Sequence, residues 1–334
     1  MKKIFLITLV SMITLTTACS SKPAADKVTG KIAADDKALT VTLPTWPGYG
    51  PLFLAKEKGF FKQRGVNIDL TIIDGLGERK QALAGGKVQG MATATDVTVS
   101  VAASYVPLGI VWVFDDSYGG DGILAKKEIA SPADLKGKKI ALEVGSTSHI
   151  FLLKVLEKAG LSDKDVEIVQ MSAGDAGAAF VAGKVDAAVT WEPWLSKGTA
   201  AGGKVLVSSK DLTGIIVDSV SFASDVIKNQ PEKMKAFVAA MNDAMVYWKA
   251  NDSESIKIMA SGLKMSEEEF KATVGSLKFY GLEDNKIQMG TADKPGPIYS
   301  TAKSAADFYF SKKLIEKAPD VNQLIVPSFV RELK

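Results

Sequence analysis

The stretch from residue 37 to residue 74 constrains the fold of this chain more than any other. Apolar residues alternate with threonines over residues 39–43, which is the period of a half-buried strand. A loop rich in proline and glycine follows and carries Trp46 and Tyr49, and the residues after it have apolar side chains at helical spacing. Apolar and polar residues alternate again over residues 66–72. The stretch therefore predicts a strand–loop–helix–strand unit, with an aromatic loop at the strand edge where open α/β sheets bind ligands.

Part of this pattern occurs twice. Gly-Lys-Val at residues 86–88 recurs at residues 183–185, in each case between a predicted helix and a predicted strand. A repeat of this kind indicates two α/β lobes of similar build that present their strand ends to a shared cleft. Elsewhere the patterns predict a polar loop at residues 115–121, after a buried strand, and a helix at residues 267–277.

The first eighteen residues predict an export signal. Lys2 and Lys3 precede an apolar run at residues 4–15, and small residues lead up to Cys19, the only cysteine. Thr-Thr-Ala-Cys resembles a bacterial lipobox, so we predict lipidation of Cys19; the alternative is a free thiol beside an ordinary cleavage site. The polar residues 19–37 are typical of a flexible tether.

Composition limits the class of partner. The net charge is +3, and it is +1 (3 − 2) without the two lysines of the leader, so nothing favours nucleic acid. The 334 residues suffice for two domains. The arginines are Arg64, Arg79 and Arg331. Since anionic ligands are commonly held by arginine, this scarcity argues against a simple anion.

The chain resembles a known family over residues 39–250. The resembling segments begin Trp46-Pro-Gly-Tyr-Gly-Pro-Leu-Phe and continue with Gly86-Lys-Val, Thr95-Asp-Val, Ser131-Pro-Ala-Asp-Leu, Glu143-Val-Gly-Ser-Thr-Ser-His and Thr190-Trp-Glu-Pro. These segments resemble the nitrate/sulfonate/taurine class of ABC-transporter solute-binding proteins, a class that shares its fold with the thiamine-pyrimidine precursor family.

The resemblance implies an α/β type II periplasmic-binding-protein fold with two lobes joined by two hinge crossovers, near residues 122–125 and 216–222. Residues 38–122 and 222–334 would form one lobe and residues 123–221 the other. It also implies a monomer that captures a small molecule between the lobes and delivers it to a permease driven by an ATPase. With the lipid anchor, this places the protein in the cell envelope, in the periplasm or on the outer face of the cytoplasmic membrane.

The candidate loops carry carboxylates beside aromatic rings, which suits a desolvated cation. Asp115 and Asp116 are adjacent, so only one is expected to face the ligand. We predict a small nitrogenous cation, most narrowly guanidine. The alternatives are taurine, an alkylsulfonate, nitrate or a thiamine pyrimidine precursor. The predicted ligand-binding residues are Trp46, Tyr49, Asp96, Asp116, Asp121, Glu143, Ser146, Thr147, Trp191 and Glu192.

Catalytic chemistry has little support in the sequence. Cys19 lies at the leader boundary, and His149, the only histidine, has no matched nucleophile. No dinucleotide fingerprint, phosphate-binding loop or calcium-binding loop is present, so we expect no cofactor and no metal. A pyrimidine-synthase-like enzyme is the remote alternative. We expect a binding protein rather than an enzyme.

Overall fold

The computed structural model of the protein describes residues 37–291 and 293–333. The predicted export signal, Cys19 and the tether except Lys37 lie outside the described residues. Among those that are described, no helix has both the length and the apolar character needed to cross a bilayer.

The described part of the chain alternates strands and helices through its first two thirds and is mainly helical after that. The strands are β1 Leu39–Leu43, β2 Ile68–Ile72, β3 Gly90–Ala94, β4 Leu108–Ser117, β5 Asp121–Ala125, β6 Lys139–Leu142, β7 Glu167–Gln170, β8 Ala187–Trp191, β9 Lys204–Ser208, β10 Val217–Ala223 and β11 Leu277–Phe279. The helices are α1 Gly50–Glu57, α2 Phe60–Arg64, α3 Leu76–Ala84, α4 Thr95–Ser104, α5 Thr147–Lys158, α6 Ala173–Val181, α7 Trp194–Ala200, α8 Ser224–Asn229, α9 Pro231–Ala250, α10 Asp252–Gly262, α11 Glu267–Val274, α12 Leu282–Met289, α13 Pro297–Ser311, α14 Val321–Leu324 and α15 Ser328–Glu332.

Within the described residues the strands form two sheets of the same design. Six strands have the order β11-β4-β10-β3-β1-β2, and five have the order β7-β6-β8-β5-β9. In the first sheet β1 runs parallel to β2 and β3, and β10 is antiparallel to β3 and β4. In the second β6 runs parallel to β7 and β8, and β5 is antiparallel to β8 and β9. Each sheet therefore holds three parallel strands beside an antiparallel one.

The central strands are buried on both faces because helices cover them. Every residue of β3 and of β5 is buried, as expected for strands between two helical layers. The six-stranded sheet supports one large apolar cluster, in which Phe61 and Phe237 stack with ring centroids 5.4 Å apart. The five-stranded sheet carries two smaller clusters, one centred on Ile140 and Phe151 and the other on Phe180.

The repeated Gly-Lys-Val segment has the same structure in both copies. Gly86 follows α3 with φ of 68°, and Gly183 follows α6 with φ of 72°. A left-handed glycine ends each helix without steric cost and turns the chain towards the next strand, β3 or β8. The repeat recognised in the sequence thus marks equivalent helix–turn–strand units in the two sheets.

The chain passes between the sheets twice, at residues 118–120 and at residues 209–216. The two passages are bonded to each other, since the amide of Ser117 donates to the carbonyl of Ile216 at 2.9 Å and Ser209 Oγ accepts from the amide of Gly119 at 2.6 Å. Both passages begin a few residues earlier in the chain than the crossovers expected near residues 122–125 and 216–222. The lobe limits drawn from the sequence stay a prediction.

Two sequence expectations about element limits were wrong. β4 continues through Asp115 and Asp116, where a polar loop was expected, because β10 and β11 pair with these residues on either side. The helix expected at residues 267–277 ends at Val274, because Leu277–Phe279 pairs with the end of β4 as β11. In both cases a long-range strand pairing overrides a local pattern.

A buried asparagine completes the hydrogen bonding of β4. Asn285, fully buried on α12, accepts from the amide of Val113 at 2.7 Å and donates to its carbonyl at 2.9 Å. Its amide thus takes the place of a neighbouring strand at this position. An unpaired buried backbone group costs about 1–3 kcal/mol.

We therefore expect Asn285→Ala to lower the free energy of unfolding by about 2–4 kcal/mol in urea denaturation, because both backbone groups of Val113 lose their partner. The exposed Asn322 on α14 supplies the control, and Asn322→Ala is expected to change stability by less than about 0.5 kcal/mol. Equal effects of the two substitutions would contradict this role of Asn285.

Candidate functional site

A narrow cavity lies where the carboxyl ends of β1, β3, β6 and β8 meet between the two sheets. Its volume is about 30 Å³, which is room for about two water molecules on the same measure. The starts of the antiparallel strands reach the same place, because Asp121 of β5 pairs with Trp191 and Asp218 of β10 pairs with Ala94. The lining residues are Pro44, Trp46, Tyr49, Arg79, Thr93, Ala94, Val97, Asp121, Glu143, Ser146, Thr147, Trp191, Ile216 and Asp218.

The structure brings together most of the residues named from the sequence. Asp96, Asp116 and Glu192 are not among the lining residues of the cavity. Three polar residues that line it, Arg79, Thr93 and Asp218, were not among the predictions. The predicted residues that do line it are Trp46, Tyr49, Asp121, Glu143, Ser146, Thr147 and Trp191.

Aromatic rings form one wall of the cavity. Trp46 and Trp191 meet edge to face with ring centroids 6.3 Å apart and an interplanar angle of 81°. The indole N–H of Trp191 donates to the carbonyl of Thr45 at 3.0 Å, which ties the end of β8 to the loop after β1. Tyr49 packs edge to face on Phe114 at 5.4 Å. Because the rings contact each other and both sheets, the wall is held in place without a ligand.

Buried carboxyl groups lie beside this wall. Asp115 and Asp218 are opposite each other on β4 and β10, and the hydroxyl of Tyr49 donates to Asp218. Among the described residues, neither oxygen of Asp115 has a hydrogen-bond partner, and Asp121 Oδ2 has none either. Burial, together with the neighbouring carboxylates, raises the pKa of Asp115 and of Asp218 well above the usual range. Burial also raises the pKa of Asp121, to about 7.

The indole N–H of Trp46 lies near Asp115 but has no hydrogen-bond partner among the described residues. Its dipole offsets part of the rise in the pKa of Asp115. Gly48 is required here, since a Cβ at this position would lie 2.0 Å from Asp115 Oδ2 and 2.5 Å from Trp46 Nε1. The glycine of the aromatic loop therefore allows the close approach of the indole and the carboxyl group.

A single arginine faces these acids. Arg79 on α3 is 3% exposed, its Nη1 lies 3.3 Å from Thr93 Oγ1, and its Nε has no partner in the described part of the chain. Burial lowers the pKa of Arg79, and Tyr49, Glu143, Asp74 and Asp218 oppose that effect. The guanidinium group stays charged because its usual pKa lies far above neutrality. The lining of the cavity thus combines one cation, Arg79, with the acidic groups of Asp121, Glu143 and Asp218.

The sequence pattern around Arg79 indicates that its side chain lies on the buried face of a helix. Leu76, Arg79 and Leu83 have the spacing of one helical face, and all three are buried. An arginine on the apolar face of a short helix is unusual, because burying an unpaired charge is costly. Arg79 was nevertheless not among the predicted ligand-binding residues.

Polar groups at the start of α5 complete the cavity. Ser146 caps the helix, since its Oγ accepts from the amide of Ser148 at 3.2 Å and donates to the carbonyl of Glu143 at 2.7 Å. Glu143 in turn accepts from the amide of Leu76 at 2.7 Å, across the gap between the sheets. A helix N-terminus favours negative charge, so this corner and Arg79 together suit an anionic group.

The three predicted residues outside the lining have other contacts. Asp96 accepts from Thr147 Oγ1 at 2.9 Å and from the Tyr309 hydroxyl at 3.1 Å, behind the cavity. Asp116 lies next to Asp115 on β4, so the two side chains point to opposite faces. Glu192 accepts from the amide and the hydroxyl of Ser196 and so caps the start of α7.

A comparison with known proteins identifies the family. The sequence profile described as NMT1/THI5 like matches residues 46–255, which is more than half of the chain. The chain belongs to the NMT1/THI5-like family. The NMT1/THI5-like match covers the aromatic loop, Arg79, the acidic strands and the start of α5, and therefore all the lining residues of the cavity except Pro44.

The NMT1/THI5-like chain is similar to a taurine-binding periplasmic protein of Escherichia coli, with 27% identity over 90% of this chain and 95% of that one. It is also similar in structure to an alkanesulfonate-binding protein of Xanthomonas axonopodis bound to MOPS, at TM-score 0.72 and 23% identity over 88% of this chain and 99% of that one. A periplasmic nitrate-binding protein of Synechocystis is similar in structure at TM-score 0.72 and 16% identity, over 89% of this chain and 88% of that one.

These likenesses confirm the resemblance and the fold class predicted from the sequence. At identities below 25% the two solved structures show the fold alone, which is that of the periplasmic binding proteins. The curated relative is named as a binding protein. Within the described residues, no group of three or more His, Cys, Asp or Glu side chains is placed to hold a metal ion.

The raised pKa of Asp121 makes the stability of the protein depend on pH. An exposed aspartate in the unfolded chain ionises near pH 4, whereas folded Asp121 keeps its proton up to about pH 7. The contribution of this group to stability is therefore fully present below about pH 4 and is lost as the pH rises towards 7.

We expect Asp121→Asn to raise the free energy of unfolding of the ligand-free protein by about 1–3 kcal/mol at pH 8, because it removes a buried charge. The gain should vanish near pH 4, where the carboxyl group is neutral in both states. Urea denaturation at the two pH values measures it, with the exposed Asp293→Asn as control. A gain of the same size at both pH values would contradict the burial of a charge at Asp121.

Proposed function

We propose that this protein is the extracytoplasmic solute-binding component of an ABC importer, and that its ligand is a small zwitterion of the aminosulfonate type. The observation that carries the proposal is the pairing of opposite charges in one cavity. Arg79 and the start of α5 provide positive charge, and Asp121, Glu143 and Asp218 provide acidic groups in the same lining. A ligand with one anionic and one cationic group satisfies both sides at once.

The anionic end of such a ligand fits the positive side. The Nε of Arg79 has no partner among the described residues, so a sulfonate oxygen can accept from it without displacing another contact. Thr93 adds a hydroxyl group to the lining beside Arg79, whereas the hydroxyl groups of Ser146 and Thr147 already donate to the carbonyl of Glu143 and to Asp96. A hydrogen bond to a charged group contributes about 1.5–3 kcal/mol.

The cationic end fits the acidic side. An ammonium group has three donors, and Asp121 Oδ2 lacks a partner in the described part of the chain. Trp46 and Trp191 present aromatic surface beside these oxygens, so cation–π attraction adds to the charge-assisted hydrogen bonds. Ionised acids without a counter-ion are costly in a buried site, and a bound ammonium group removes that cost.

The relatives support this ligand class. Taurine and MOPS, which appear in the names of two of them, both combine a sulfonate with a basic nitrogen. Taurine, the smaller of the two, requires less widening of the cavity of about 30 Å³, which has room for about two water molecules. Because the names belong to other proteins, the assignment to this chain depends on the charges that line its own cavity.

The wider role follows from the family and the fold. We infer that the two sheets close on the ligand by hinge motion at the two passages between them. The protein then delivers the ligand to a membrane permease driven by an ATPase, as a monomer that returns its ligand chemically unchanged and is not an enzyme. Export and lipidation at Cys19 would hold it in the cell envelope, near that permease.

A compact cation such as guanidinium is the second candidate. Acidic groups outnumber the single arginine of the lining, and Asp121 retains an unpartnered oxygen among the described residues. A flat ion with several N–H donors suits such carboxylates. Arg79 argues against it, because a purely cationic ligand offers no acceptor to the Nε of Arg79, which has no partner among the described residues.

Calorimetric titration at pH 8 separates the two candidates. We expect taurine to bind at least about 100-fold more tightly than either ethanesulfonate, which lacks the amine, or ethylamine, which lacks the sulfonate. Tight binding of guanidinium with no response to taurine would favour the second candidate. Equal binding of taurine and ethanesulfonate would show that the acidic side of the cavity does not contribute.

Substitution of Arg79 tests the positive side. We expect Arg79→Gln to weaken taurine binding about 100-fold, or about 2.7 kcal/mol, because a charge-assisted contact is lost. The exposed Arg331→Gln controls for the loss of one arginine and is expected to leave the affinity unchanged. An effect of Arg79→Gln below about threefold would exclude Arg79 from the ligand contacts.

The affinity for taurine should also depend on pH. The pKa of Asp121 is about 7 in the ligand-free protein, and an ammonium group favours the ionised carboxylate, so binding releases protons below pH 7. We expect the affinity to rise from pH 6 to pH 8 and then to level off. Titration in two buffers of different ionisation enthalpy measures the released protons, and proton uptake on binding would contradict the contact.

A further inference from the structure

We infer that Asp96 and Tyr309 are positioning residues that hold the ligand cavity closed from behind. The carboxylate of Asp96 bonds at the same time to Thr147, whose side chain lines the cavity, and to Tyr309 on helix α13 near the C-terminus. Neither Asp96 nor Tyr309 lines the cavity itself. The inference rests on the proposed function, because it concerns how long a captured ligand is retained.

The three residues come from different parts of the fold. Asp96 is in the first turn of α4, directly after β3 of the six-stranded sheet. Thr147 opens α5, directly after β6 of the five-stranded sheet. Thr147 Oγ1 donates to Asp96 Oδ1 at 2.9 Å and Tyr309 donates to Oδ2 at 3.1 Å, so each oxygen accepts from one hydroxyl group, and the backbone amides of Asp96 and Val97 also interact with the carboxylate. The contact of Asp96 with Thr147 therefore links the two sheets.

The charge of Asp96 strengthens both bonds. Burial raises the pKa of Asp96 to about 6, and the hydroxyls of Thr147 and Tyr309 oppose that rise. Above pH 6 the carboxylate is thus ionised and accepts from both hydroxyl groups. Hydrogen bonds to a charged acceptor are about twice as strong as neutral ones. Asp121, Asp218 and Lys80 are the charged groups that interact with Asp96 from the neighbouring elements.

Further contacts join α13 to the five-stranded side. The ammonium group of Lys154 on α5 lies 5.1 Å from the centroid of the Phe308 ring. The hydroxyl of Thr301 donates to the carbonyl of Gly214, in the second passage between the sheets, at 2.9 Å. Ile150 of α5 belongs to the same apolar cluster as Phe308 and Tyr309. Helix α13 therefore braces both α5 and the passage.

This gives helix α13 a role in a part of the chain that the family match does not cover, since that match ends at residue 255. Opening of the sheets must break the bond between Asp96 and Thr147. The phenol of Tyr309 orients the carboxylate for that bond, so its removal should ease opening. Because the encounter with the ligand precedes closure, the loss should raise the rate of dissociation and leave the rate of association unchanged.

The test is stopped-flow measurement of taurine binding at pH 8 with Tyr309→Phe, which removes only the hydroxyl group. We expect dissociation to become about tenfold faster and association to change less than twofold. Tyr299→Phe, on the same helix and distant in sequence from Tyr309, is the matched control and should change neither rate. Asp96→Asn should have a larger effect than Tyr309→Phe. The double variant should match Asp96→Asn within about twofold, because the phenol acts through the carboxylate.

A second measurement does not need a ligand. Amide hydrogen exchange of the ligand-free protein should be about tenfold faster at residues 146–153 in Tyr309→Phe than in the wild type. Exchange at residues 90–94, within β3, should be unchanged, which excludes a general loss of stability. Tyr299→Phe should match the wild type at both segments.

The outcomes separate the two proposals. If taurine does not bind to the wild type, the proposed function fails, and the exchange of residues 146–153 still decides the role of Tyr309. Equal exchange in Tyr309→Phe and the wild type would overturn the inference. Additive effects of Asp96→Asn and Tyr309→Phe on dissociation would overturn it as well, even if taurine binds tightly.

Discussion

The cost of burying charge governs the centre of this molecule. Asp115, Asp121 and Asp218 are at most 7% exposed, Arg79 is 3% exposed, and they share the region between the two sheets. The Tyr49 hydroxyl and the dipole of the Trp46 indole lessen the cost for two of the acids, but Asp121 Oδ2 and Arg79 Nε are left without partners among the described residues. We propose that a ligand that satisfies these groups stabilises a closed arrangement of the two sheets, which would link binding to closure.

The topology produces this meeting of charges. In each sheet three parallel strands end at the same edge, and an antiparallel strand begins there. Residues that follow the parallel strands, such as Trp46 and Glu143, therefore meet residues at the start of the antiparallel strands, such as Asp121 and Asp218. The two passages between the sheets are bonded to each other through Ser117, which leaves a narrow connection beside the cavity.

Local pattern predicted much of this arrangement. The strand–loop–helix–strand unit, the repeated Gly-Lys-Val segment and the loops at the strand ends are consequences of periodicity and of glycine at left-handed positions. The family resemblance added the fold class. Predicted residues on those loops, such as Trp46 and Thr147, line the cavity because sequence position alone puts them near a strand end.

Asp218, whose position at the cavity depends on strand pairing, was not predicted. Asp218 lies within β10, and only the register of β10 against β4 and β3 brings it beside Asp115 at the cavity. The same register decides that Asp115, and not the half-buried Asp116, joins the buried acids. Arg79 was not predicted for a different reason, because a charged side chain on a short helix is usually exposed. The buried Arg79 favours a zwitterionic ligand over the simple cation predicted from the sequence.

The most direct test of the central claim is a crystal structure of the protein with taurine at pH 8. We predict the sulfonate within hydrogen-bonding distance of Arg79 and the ammonium group within hydrogen-bonding distance of Asp121 or Asp218, between Trp46 and Trp191. A bound taurine in the reverse orientation, or one that leaves Arg79 without an anionic partner, would contradict the account.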